Sequence, residues 1–118
     1  MDTRGKIVSA AVAACDRGTV VVRGCFDPLA VAHVRRIEEL ACGAATVTIL
    51  LTSPAWPLLP DRARAELLAG LRAVKNVVIT VGTIPAEFAG TAIIDESESD
   101  LLRARELMDH VRRRQDAK

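Results

Sequence analysis

The residues best placed to do chemistry lie in one short stretch, Gly24-Cys25-Phe26-Asp27-Pro28-Leu29-Ala30-Val31-Ala32-His33. It follows a β-branched run and leads into a helical pattern. In an open parallel sheet, such a crossing beyond the carboxyl end of a strand is where ligands bind and where free helix N–H groups meet phosphate. Gly24 lets the backbone turn sharply and approach a ligand closely, although a glycine also ends strands in many folds. Asp27, ahead of Pro28, is either a ligand-loop carboxylate or a turn-forming or helix-capping residue. His33 is either a ligand-facing imidazole or a satisfied structural histidine. Further on, Arg64 carries a planar fork suited to phosphate oxygens, while its neighbour Arg62 argues equally for a solvated helix face. Glu106, Asp109 and His110 have no motif around them and read as surface.

These residues must be positioned by the elements around them. Ser9 is a candidate cap for a first helix running through Cys15 and closed by Gly18. Thr19 to Arg23, apolar on both faces, reads as a central parallel strand. A helix follows through Ala41 with Val34, Ile37 and Ala41 on one face, and Gly43 stops it. Ala45 to Thr52 is the second strand. The segment SPAWPLLP then loops, because its three prolines forbid ladder pairing. Asp61 to Ala73 is a helix by composition, with Leu67, Leu71 and Val74 as its stripe. Val77 to Val81 is a third strand, and Thr91 to Ile94 is either a fourth short strand or a connector. From Ser99 to Arg114, Leu101, Ala104, Met108 and Val111 recur at helical spacing, with acids at the start and Arg112 to Arg114 at the end, as the helix dipole favours. Alternation of strands and helices argues for βαβ units, right-handed crossovers and a mostly parallel sheet.

Composition narrows the function classes. The chain has 118 residues, half of them apolar, and a formal charge of +1, so it fits one domain with a real core. A domain of this size hides only about two-thirds of its unfolded surface, which makes a homo-oligomer, or another protein partner, the expectation. No basic stripe exists for nucleic acid, and three aromatic residues make no stacking platform. The apolar stretch near Thr46 to Leu51 is far too short to cross a bilayer. Met1 to Gly5 leads straight into an Ala/Val pattern without a cleavage-type sequence, so a cytoplasmic location is expected. Cys15, Cys25 and Cys42 show no C-x-x-C spacing and read as buried small apolar residues. There is no P-loop, dinucleotide-binding, serine-hydrolase or H-E-x-x-H motif.

The stretch resembles the G-x-F-D-x-x-H-x-G-H signature of the cytidylyltransferase-like nucleotidyltransferases, which include glycerol-3-phosphate cytidylyltransferase and the heptose-phosphate adenylyltransferases. Gly24, Phe26, Asp27 and His33 match it. Ala30 stands where the first histidine belongs and Ala32 where the glycine belongs. Pro57 to Pro60, Arg64 to Leu68 and Leu71 to Ile79 are similar to the pre-helix loop, the arginine-bearing helix and the next strand of that family. The likeness spans Ile7 to Val81, and the last third of the chain does not follow it.

The resemblance implies a three-layer α/β/α Rossmann-like fold over the single domain 1–118. It implies His33 as the catalytic group, stabilising charge at the α-phosphate by positioning and electrostatics. It also implies Gly24, Phe26, Asp27 and Arg64 as the nucleotide-binding set, and Mg²⁺ with CTP or ATP as what an active member would use; no resident metal site is expected. The family's phosphate-binding lysine has no counterpart, since no lysine lies between Lys6 and Lys75, and its late serine/threonine-rich motif is missing. Two readings follow. An active enzyme would join a nucleoside monophosphate to a small phosphorylated alcohol or sugar and release pyrophosphate. A catalytically impaired relative would keep part of the site. The lost histidine and lysine favour the impaired relative.

Overall fold

The computed structural model describes residues 2–27, 29–41 and 45–96. The helix expected over Ser99 to Arg114, and Cys42 with Gly43, lie outside the described residues. Four strands form one sheet: β1 (Thr19–Gly24), β2 (Thr46–Leu51), β3 (Val74–Ile79) and β4 (Ile93–Asp95). Their order is β3-β2-β1-β4 and every pairing is parallel, as the strand–helix alternation requires. The segment left open between strand and connector is thus a strand, paired with β1 through Val21↔Ile93, Val22↔Ile94 and Arg23↔Asp95.

Helix α1 (Ala10–Ala14) precedes β1, while α2 (Val31–Ala41) links β1 to β2 and α3 (Asp61–Ala69) links β2 to β3; 3₁₀ turns lie at Thr3–Lys6 and, between β3 and β4, at Ala86–Phe88. Ser9 caps α1 as expected, its side chain accepting the Val12 N–H at 3.3 Å. Successive strand residues face opposite sides of the sheet, so Val21 and Val22 enter different cores. Val22, Ile49, Leu51 and Val77 pack with Ile37 and Ala41 of α2 and with Ala65 and Leu68 of α3. Val21, Leu50 and Val78 pack with Ala13 of α1 and with Phe88. Burial on both faces of β2 is what makes its run TVTILL apolar almost throughout.

Three details depart from the sequence reading. Helix α3 stops at Ala69, capped by Gly70, rather than running to Ala73. Its buried face is Arg64, Ala65, Leu68 and Ala69, while Leu67 is half exposed and Val74 already belongs to β3. A hydropathy stripe places arginine outside; here a buried arginine rotates the helix. On α2 the buried line is His33, Ile37 and Ala41, so His33 takes the place expected of Val34. Finally β3 starts and ends earlier than Val77 to Val81, leaving Val81 in solvent. Asn76, a polar residue inside the strand, is what hid its true start.

Candidate functional site

The loop after β1 is tightly folded. Thr52 N–H donates to the Gly24 carbonyl at 3.0 Å, extending the β1–β2 ladder past its last named pair. Phe26 then adopts φ 48°, a left-handed conformation that bulky side chains avoid. That turn drives its ring into the core, where it meets the His33 imidazole edge to face at 5.4 Å between centroids. Leu29 and Ala30 lead into α2, whose first residues Val31 and Ala32 are exposed.

Both oxygens of Asp27 are used within the protein. They accept the N–H groups of Leu58 at 2.6 Å and Leu59 at 2.9 Å, so the carboxylate ties the β1 loop to the proline-rich loop after β2. Arg64 performs the reciprocal task with cationic donors. It is 1% exposed, and four of its five N–H groups are engaged. Nε donates to the Leu59 carbonyl, Nη1 to the carbonyls of Cys25 (2.7 Å) and Thr52 (2.9 Å), and Nη2 to Ser53 Oγ. The solvated-surface alternative for Arg64 is therefore wrong, and no ion pair joins it to another described carboxylate. Carbonyl dipoles carry its charge.

His33 is buried, and its Nδ1 accepts the Ala30 N–H at 2.9 Å. An accepting Nδ1 assigns the neutral ring's proton to Nε2, which makes that nitrogen a donor. Gly24, Phe26, Asp27 and His33 thus lie on one strand-to-helix crossing, and Arg64 reaches the same loop from α3. The five expected residues come together at the carboxyl edge of the sheet, with Asp27 and Arg64 directed onto the protein's own backbone.

Sequence reasoning missed Ser53 and the carbonyls of Cys25, Thr52 and Leu59. Backbone acceptors leave no trace in residue identity. It also took all three cysteines as buried: Cys25 is, but Cys15 is exposed, its Sγ lying 3.3 Å from the Ala11 carbonyl that accepts from it. At the far edge of the sheet, Arg23 pairs with Asp95 at 3.0 Å and Arg36 of α2 with Glu96 at 2.9 Å, pinning β4 to its neighbours. Glu96, bonded to Arg36, raises that guanidinium above its ordinary pKa.

Among the described residues no group of three or more His, Cys, Asp or Glu could hold a metal ion. Asp27, with both oxygens spent on N–H groups, does not fit the role of a Mg²⁺ ligand. No described helix is long and apolar enough to cross a membrane. Neither a scan of protein-family models nor a search of curated proteins returns a match to this chain.

Proposed function

We propose that this chain is a divergent nucleotidyltransferase-like domain of three-layer α/β/α type, catalytically impaired, that keeps part of a nucleotide-phosphate site. The observation that carries the reading is the engagement of Asp27 and Arg64 by backbone groups of the two loops. The motif's charged residues hold the loop in shape instead of offering charge to a triphosphate. Ala30 and Ala32 add no charge in their place, and no lysine lies between Lys6 and Lys75 in the sequence. Removing one preorganised donor from an oxyanion site commonly costs about 10²–10³ in rate, and here a histidine, a lysine and a hydroxyl loop are absent together.

Support for residual binding comes from α2. Its N-terminus follows the carboxyl end of β1, with the exposed Val31 and Ala32 opening the helix, a geometry that favours anions. The second reading, an active adenylyl- or cytidylyltransferase using Mg²⁺, needs a His33 donor that reaches a ligand, whereas the ring is buried against Phe26 and its Nε2 is shielded from solvent.

Titration with CTP and ATP in the presence of Mg²⁺, followed by a pyrophosphate-release assay with glycerol 3-phosphate or heptose phosphate, separates the two. Weak binding with no turnover is expected. Wild-type turnover clearly above that of His33→Ala overturns the impaired reading, and absence of any nucleotide binding overturns the residual site. Gain of nucleotide affinity in the double variant Ala30→His, Ala32→Gly supports the ancestry even without turnover.

A further inference from the structure

The opposite, amino-terminal end of the sheet carries a row of polar side chains unexpected in a hydrophobic layer. Thr19 of β1, Thr48 of β2 and Asn76 of β3 each lie two residues before Val21, Leu50 and Val78, and so share the face those residues bury. Thr48 is fully buried and Asn76 nearly so. The hydroxyls of Thr19 and Thr48 are 2.7 Å apart, and Asn76 Nδ2 donates to Thr48 Oγ1 and to Asp16 Oδ2, both at 3.3 Å. Lys75 Nζ reaches the same Asp16 oxygen at 2.9 Å and holds the carboxyl below its ordinary pKa, as an anion. A buried polar chain of this kind is costly unless every member is satisfied. The loop at the carboxyl end makes no use of it.

Beside this row, between the end of α1 and the turn Ala86–Phe88, opens a cavity of about 380 Å³. That volume is in the range of small-molecule sites. Asp16 and Thr19 form part of its wall, and Val21 and Phe88 add apolar surface. Arg17 and Glu87 line it as well, and no hydrogen bond or ion pair joins either to another described residue. One cation, Arg17, and one carboxylate not engaged elsewhere, Glu87, therefore line one small space, while the Asp16 carboxylate in the same wall is already paired with Lys75. A phosphate would meet the Glu87 carboxylate, and a diamine would meet the arginine. A ligand with one positive and one negative group meets neither penalty.

We propose that this cavity binds a small zwitterion of the α-amino acid class, its ammonium toward Glu87 and its carboxylate toward Arg17. The site is separate from the Gly24–His33 loop and independent of any nucleotide chemistry there. Amide chemical shifts of the full chain, titrated with glycine, L-serine and L-glutamine, test it. Ethanolamine, acetate and inorganic phosphate serve as comparators. Saturable shifts at Arg17, Gly18, Thr19, Ala89 and Thr91 are expected for the amino acids. Arg17→Ala and Glu87→Gln, both at exposed positions that leave the core intact, should each weaken binding about tenfold. Absence of saturable shifts, an equal response to any comparator, or unchanged affinity in either variant overturns the proposal.

Discussion

Truncating Arg64 to alanine should cost about 3 kcal/mol of stability, because the buried carbonyls of Cys25 and Thr52 and the part-buried carbonyl of Leu59 lose charge-assisted donors at once. Arg64→Lys should recover less than half of that, since an ammonium cannot serve acceptors spread along a planar fork. Urea unfolding curves with unchanged m-values check both, and a loss under about 1 kcal/mol would show that the loops hold without the guanidinium. Asp27→Asn should cost about 1–3 kcal/mol, because an amide presents one acceptor oxygen where Leu58 and Leu59 need two. Faster hydrogen exchange at those two amides is the accompanying signature. Such effects are stability effects, and they separate a residue that shapes the ligand loop from one that touches ligand.

At the scale of elements, the polar row across β1, β2 and β3 makes a coupled unit. Thr48→Val keeps the shape and removes the hydroxyl shared by Thr19 and Asn76, so it should destabilise by about 1–3 kcal/mol. Adding Thr19→Val should cost less than the sum of the single changes, which a double-mutant cycle measures. Asp16 gives the row a pH dependence. Its folded pKa lies below the unfolded one, chiefly through the Lys75 hydrogen bond, so its contribution is complete above the ordinary carboxylate range and is lost as pH falls through the folded value. Thermal melts from neutral to acid pH should therefore show a drop that Asp16→Asn flattens. The same elements show how far the sequence could be read. β-branched runs alternating with helical periods exposed the parallel sheet, and the Gly24–His33 motif exposed the loop. The phase of α3, the start of β3 and the inward face of α2 stayed hidden, because Arg64, Asn76 and His33 are polar residues in buried positions. The direction in which Asp27 and Arg64 act was hidden too, since their partners are backbone atoms.

Over the whole molecule, Val31, Trp56, Leu58, Val81 and Ile84 are large apolar side chains exposed in the segments that follow β1, β2 and β3. Trp56 is the only tryptophan, the chain has no tyrosine, and its indole is 90% exposed. Its emission in dilute solution should match that of the unfolded chain; a blue shift growing with protein concentration would report a second copy seated on these loops. The sheet order has a further consequence, for the timing of folding. Thr19 and Thr48, or Thr48 and Asn76, close segments of 29 and 28 residues, whereas Arg23 and Asp95 close one of 72. Loop-closure entropy rises only slowly with length, but it must be met before the contact returns anything, and β4 returns just three paired residues. The three-stranded unit β3-β2-β1 can therefore assemble first, with β4 joining a finished edge and leaving it most readily. Native-state hydrogen exchange should find the amides of Ile94 and Glu96 opening at a lower free energy than those of β2, through partial unfolding that exposes the β1 edge while the rest of the sheet stays closed.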